Sequence, residues 1–395
     1  MDSEIVLSDV ITDIAAGPFG SNLKVSCFVP SGFPIIDGAN LKGFKVTDNL
    51  TKFVTEEKAR SLSRSIAKRG DVVVTISGTL GQIAYIPEDS AYEEYLCSQR
   101  QFKVTFDTSK VYVPYLVFYF HTREGRGKLL AFANQTGVPA LAQPTKNFKR
   151  IRLELPDIEQ QRKIALIAEL LTKKIEANAN LNGYLEEQCE AVANHEKGLA
   201  VELSSLCDLV KVKADYNEAD FDTYVSTESL LPGKKGRQAP SSLPQTGKVT
   251  VYKAGDILVS NIRPYFKKIW YADRTGTCSG DVLVFRAKQP EQSGYLYSCM
   301  RSDAFFDYVM KGAKGTKMPR GDKKQMLTYK VASNPSGATV DFIESALSQA
   351  SSSSKENHRL AALRDNLLPK LMSGEIDVSK VDLKQLNSHL ALCCS

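Results

Sequence analysis

The chain has 395 residues, 43% of them hydrophobic, with 51 Lys+Arg against 45 Asp+Glu and a formal net charge of +6. Such a length and apolar fraction support two or three domains with real cores, which excludes global disorder and a disulfide scaffold. The mild positive charge permits an acidic partner without identifying one.

The first residues, Met1 to Val6, carry acids where a secretory signal carries Lys or Arg, and Lys24 is the first basic residue, so no leader is expected there. A β-branched run at 71–76 and another at 102–106 read as strands between Gly and Pro punctuation. The most apolar run, Tyr112 to Phe120, is far too short to cross a bilayer, so no membrane span is expected. Lys146, Lys149, Arg150 and Arg152 then form a basic patch. Eight cysteines, none in a Cys-x-x-Cys pair, suggest a reducing compartment and small buried residues.

A long helix opens at Pro156-Asp157, where Asp157 can cap and Gln160 can complete a reciprocal capping box. Its apolar positions run Ile164, Ile167, Leu171, Ile175, Leu181, Leu185, Cys189 and Val192, a seam interrupted by Asn178. Strands follow at 249–252 and 256–259. The segment Ser260 to Trp270 interleaves aromatics with Asn261, Arg263, Lys267 and Lys268. Lys311 to Lys324 holds six cations and one acid among glycines, a loop whose amides and ammonium groups suit a phosphate backbone. Both segments also read as a solvated loop and a partly core-filling turn. The second long helix carries Val340, Ile343, Leu347, Ala350, Leu360, Leu363, Leu367 and Leu371, with Ser351 to Ser354 and Asn357 breaking its stripe.

The two helices superimpose at one offset. Pro156 and Pro335, Ile164 and Ile343, Asn178 and Asn357, and Leu181 and Leu360 are each 179 positions apart. Ahead of them, Gly70-Asp71 matches Gly255-Asp256, Cys97-Ser98 matches Cys278-Ser279, and Val138-Pro139 matches Met318-Pro319. Drift among these offsets is what surface-loop insertions produce. The expected fold is therefore α/β (α+β): two copies of a globular domain joined by two long helices that form an antiparallel coiled coil, with pseudo-twofold symmetry. The boundaries are 1–155 and 201–334 for the globules, 156–200 and 335–376 for the helices, and 377–395 for a C-terminal tail. Asn178 and Asn357, at equivalent seam positions, are expected to fix the helix register; the competing reading leaves both in solvent.

Catalytic constellations are not evident. No phosphate-binding Gly-x-x-x-x-Gly-Lys-Ser/Thr loop occurs, and His121, His195, His358 and His389 have no metal-ligand spacing. Asn334-Pro335-Ser336 fails the loop of adenine methyltransferases, and Asp322-Lys323-Lys324 lies too far from Asp157 for a nuclease motif. Asp71 and Asp256, each opening a strand after a glycine turn, read as structural.

Leu155-Pro156-Asp157-Ile158-Glu159-Gln160-Gln161-Arg162-Lys163-Ile164 resembles the opening of the conserved helix in specificity (S) subunits of type I restriction–modification systems. Leu363 to Ile376 is similar to that family's second helix ending, and Gly17-Pro18-Phe19-Gly20-Ser21-Asn22-Leu23-Lys24 to the start of its first target-recognition domains. Tyr224 to Glu228 and Lys317 to Lys324 are similar to strings in its second ones. The tail from Asp377 has no counterpart, and the serine run is poor coiled-coil sequence.

The resemblance implies a non-catalytic chain that binds double-stranded DNA, each globule reading half of an interrupted asymmetric site, while the helices space the globules and dock two methyltransferase (M) subunits. S-adenosylmethionine would belong to that partner, ATP and Mg to the restriction (R) subunits, and no cofactor or metal to this chain; the location would be the bacterial or archaeal cytoplasm. Candidate phosphate contacts are Lys146, Lys149, Arg150, Lys267, Lys268, Lys314, Lys317, Arg320, Lys323 and Lys324. Candidate base contacts are Ser77, Thr79, Gln82 and Arg100 in the first globule and Asn261, Arg263 and Tyr265 in the second. The alternative is a bivalent protein scaffold that binds no DNA.

Overall fold

The computed structural model describes residues 3–134 and 138–381. It divides into two compact units, the first running to Lys174 and resuming at Arg359, the second spanning Ile175–His358. Each unit thus joins one globule to a segment of both long helices, Ile158–His195 and Gly337–Met372.

In the first unit, strands Ile11–Ala16, Gln101–Phe106, Val72–Thr75 and Ile83–Tyr85 lie in that spatial order, all antiparallel. Val72, Val73 and Val74 are all fully buried because alternate side chains enter different cores. Val72 and Val74 face Phe102, Val104 and the helices, while Val73 joins Ile36, Ala84 and Tyr95 beneath a second sheet. That second sheet, in the order Phe53–Val54, Phe33–Ile36, Glu94–Cys97, Ile66–Lys68, is parallel only at its central pair. The apolar run at 112–120 is a buried helix, Val113–His121. Thr122 turns the chain and caps Arg123–Leu130, its hydroxyl accepting from the Gly125 amide. Ser3–Val6 pairs with Arg152–Leu155 immediately before the first long helix. There Asp157 accepts from the Gln160 amide at 2.9 Å, as a cap. Ile164, Ile167 and Leu171 share a core with Leu368 and Leu371 of the second long helix.

The second unit repeats this plan. Strands Cys207–Leu209, Val282–Ala287, Ile257–Ser260 and Ile269–Tyr271 take the corresponding spatial order, again antiparallel. Helices Ser293–Arg301 and Asp303–Lys311 follow, with Ser302 capping as Thr122 does. Ala200–Glu202 pairs with Lys330–Ala332 ahead of the second long helix. The accessory sheet differs: it has three strands, Lys213–Asp215, Lys248–Tyr252 and Gly276–Cys278.

Within this unit the long-helix segments run antiparallel, and Asn178 and Asn357 meet. Asn178 Nδ2 donates to Asn357 Oδ1 at 2.9 Å and Glu356 Oε2 at 2.7 Å; Asn357 Nδ2 donates to the Ile175 carbonyl at 3.1 Å. Asn178 is only 5% exposed. Neighbouring Asn182 bonds the Ala350 carbonyl and the Ser354 hydroxyl, both at 3.1 Å. The serine run therefore supplies small side chains and a hydroxyl acceptor to the helix contact.

Both strand-opening aspartates are committed to their turns. Asp71 accepts from the Lys68 amide and the Thr105 hydroxyl, and burial raises its carboxyl above the usual range. Asp256 accepts from the Lys253 amide and binds Arg286 through both oxygens, at 2.7 and 2.6 Å.

Candidate nucleic-acid interface

The residues singled out in the first globule lie on three segments that the backbone ties together. The Ile76 amide donates to the Arg100 carbonyl at 2.6 Å, and Gly78 to Pro139 at 3.0 Å. Leu141 in turn donates to Ile76 at 2.8 Å, and Ser77 bridges Ala140. These bonds gather Ser77, Thr79 and Arg100 beside the loop leading to the short helix Pro144–Lys149. Phe148 is buried against Phe102 and Phe120, which leaves Lys146, Lys149 and Arg150 exposed. Gln143 takes a left-handed φ of 41° so that Pro144 can open the helix. Arg126 also enters the cluster: a Cβ on Gly81, whose φ is +84°, would lie 2.9 Å from its guanidinium carbon.

The second globule reproduces the knot bond for bond. Asn261 donates to the Asp281 carbonyl at 2.8 Å, Arg263 to Pro319 at 2.8 Å, and Gly321 to Asn261 at 3.3 Å, while Ile262 bridges Arg320. The cationic loop folds back on itself through a Lys314–Arg320 bridge. It enters the helix Lys323–Leu327 behind Asp322, whose carboxylate caps the Lys324 and Gln325 amides. Lys314, Lys317, Arg320, Lys323 and Lys324 are all exposed here. Arg320 lies alongside Asp281 at 3.3 Å, a solvent-facing pair of little strength.

Several of the candidates are otherwise engaged. Lys267 pairs with Asp303 at 3.0 Å, and Lys268 donates to the Thr227 carbonyl at 2.6 Å, with burial pulling its pKa down. Gln82 donates to the Gly38 carbonyl and accepts from the Thr75 hydroxyl, which joins the two sheets of its globule. Asn261 is 6% exposed, and its Oδ1 has no hydrogen-bond partner among the described residues. Arg263 is half-buried at a left-handed φ of 53°, its Nε likewise without a partner among the described residues. Tyr265 is exposed, with its ring 4.6 Å from that of Phe266.

The sequence reading missed two apolar tips. Val138 and Met318, each preceding the proline that closes the knot, are 69% and 47% exposed inside these cationic clusters. Their matched positions were the available signal, since a hydrophobic residue before a knot proline in both copies has no core to fill. Among the described residues, no three of His, Cys, Asp and Glu gather into a metal-holding group, and no helix is long and apolar enough to cross a membrane.

Residues 30–187 match the family model of the type I restriction modification DNA specificity domain. The match takes in the knot of the first unit and most of the first long helix. The fold of the chain is similar to the S subunit of the type I restriction–modification system of M. genitalium, with a TM-score of 0.50 at 14% identity over 93% of this chain and 95% of that one. The HsdS subunit of Thermoanaerobacter tengcongensis aligns at a TM-score of 0.38 and 14% identity, covering 95% and 97% of the two chains. A structure from work on complex assembly and conformational transition of the type I R-M system aligns at 0.42 and 16%, covering 95% and 98%. No curated protein matches the chain in sequence.

Proposed function

We propose that the chain is the DNA-specificity subunit of a type I restriction–modification complex, with each knot reading one half of a bipartite duplex site. The observation that carries this reading is the duplicated knot itself: in both units the same three segments close through the same backbone bonds and present exposed Lys and Arg. Phosphate contacts from Lys146, Lys149, Arg150, Lys314, Lys317, Arg320, Lys323 and Lys324 would set register and orientation, and Ser77, Thr79, Arg100, Arg263 and Tyr265 would approach base edges. Gln82, Lys267, Lys268 and the buried Asn261 would shape the knots from behind.

Two methyltransferase subunits would dock on the long helices, with restriction subunits joining them in the cytoplasm of a bacterium or archaeon. Transfer of the methyl group from S-adenosylmethionine and ATP- and Mg-dependent cleavage would belong to those partners; this chain would bind and orient DNA. Methylation mapping in cells expressing the chain with its neighbouring methyltransferase, against the methyltransferase alone, tests the reading. An adenine modified within an interrupted asymmetric motif, only when this chain is present, is the expected result. No new motif from a soluble, associated pair would refute it. Arg263→Ala should cost roughly 1–3 kcal/mol and relax one position of the second half-site. Uniform weakening on all sequences would make Arg263 a phosphate contact instead.

A further inference from the structure

Behind the recognition turn of the second unit runs a chain of alternating charges. Glu186 and Glu190, one helical turn apart on the first long helix, both hold Arg301, at 3.4 and 2.7 Å. Tyr297 donates its hydroxyl to Glu186 at 3.1 Å. Glu190 also binds the ammonium of Lys234 at 3.1 Å. Lys234 meets Asp303 at 2.9 Å, and Asp303 binds Lys267 at 3.0 Å. Lys267 closes the Arg263–Lys267 turn that places Arg263 and Tyr265.

The backbone follows the same line. Gly233 donates to the Phe266 carbonyl at 2.8 Å and Lys234 to the Lys267 carbonyl at 2.9 Å, so the loop around 234 is zipped to the turn. Arg263, Lys234 and Lys267 all hold left-handed φ values, of 53°, 63° and 50°. Three non-glycine residues in that region within one loop pair need surroundings that enforce it. The charges supply such surroundings: the Arg301 side chain is 6% exposed and that of Lys234 16%, so losing Glu190 would strand desolvated cations, while the more exposed Asp303 ties Lys234 to Lys267 across the turn. The first unit is built differently. The residue closing its equivalent helix is His121, whose Nε2 meets the Ile83 carbonyl at 2.8 Å and whose ring lies 4.5 Å from that of Phe44.

We propose that Glu190, Arg301, Lys234 and Asp303 form a positioning relay that clamps the Arg263–Lys267 turn from the helix side. Base selection by the second unit then depends on carboxylates that a phosphate would repel. The inference rests on reading that turn as a base-contact segment.

The first test needs no DNA. Hydrogen exchange of the full-length chain is compared with that of Asp303→Asn, with segment 76–82 as internal reference. The Phe266 and Lys267 amides should exchange roughly tenfold faster in the variant while 76–82 is unchanged, and Asp303→Glu should restore protection. Unchanged exchange at 263–267 would overturn the relay. Should Asp303→Asn loosen the whole chain, Lys267→Met carries the same test from the other end.

The second test selects from DNA randomised in both half-sites, using the chain assembled with its methyltransferase. Asp303→Asn should flatten preference roughly tenfold in the second half-site and leave the first untouched, with the salt dependence of binding unchanged. Faster exchange with unaltered selection would overturn the link to specificity. Absence of any bipartite preference in the parent complex would instead defeat the proposed function, leaving exchange to decide whether the clamp exists.

Discussion

Replacing Asn178 and Asn357 singly and together with leucine tests whether the hydrogen-bonded pair acts as a unit. Asn178→Leu removes two hydrogen bonds, to Asn357 Oδ1 and Glu356 Oε2, and strands the Asn357 carbonyl at a helix contact. A stranded buried acceptor costs about 1–3 kcal/mol, whereas burying a leucine at this site returns about 2 kcal/mol. The single variant should therefore lie within about 1 kcal/mol of the parent in either direction. In the double variant no side-chain amide is stranded and both positions are apolar, so a gain of about 1–2 kcal/mol is expected, with a coupling energy of similar size. For a unit of this length that gain raises the melting temperature by roughly 2–8 °C. Thermal melts of the four proteins measure the cycle, and binding to sites with altered gaps measures the functional cost, expected as a broader range of tolerated spacings. Additive effects, or a double variant less stable than either single one, would refute the reasoning.

Asp256→Asn should destabilise the second unit by about 2–3 kcal/mol, because it frees a two-pronged Arg286 contact at a carboxylate only 2% exposed; denaturant melts will read it. Asp71→Asn should cost less, about 1 kcal/mol, since the Thr105 hydroxyl can turn to suit an amide. Burial holds the His121 imidazole below its ordinary pKa, so the unfolded chain takes up that proton first. Its contribution to stability is complete above about pH 6.5 and is lost as pH falls toward the depressed folded value. The first unit should accordingly melt earlier at pH 5.5 than at pH 7.5, and His121→Phe should remove most of that difference; a flat parent profile would sink the assignment. Lys317→Gln should lower the salt slope of DNA binding by roughly 1, whereas Lys268→Gln, whose ammonium is held by the Thr227 carbonyl, should leave it unchanged.

Local chemistry was enough to read much of this from the chain. A helical apolar period from Ile164 onward, a capping Asp157, and the runs at 71–76 and 256–259, which hold the strands Val72–Thr75 and most of Ile257–Ser260, each answer to neighbours within a few residues, so they are legible in one dimension. The repeat was legible too, because one fold copied twice leaves matched anchors such as Pro139 and Pro319 at the same knot bond. Tertiary structure alone decided which cations are free. Lys267 and Lys317 look alike in sequence, yet one meets Asp303 and the other is exposed, because the acid arrives from a helix 36 positions further on. Gln82 and Asn261, shaped for bases, are drawn into their own globules by Gly38 and by burial. Long-range packing, which composition and spacing do not encode, separates a side chain that holds the fold from one that faces a partner.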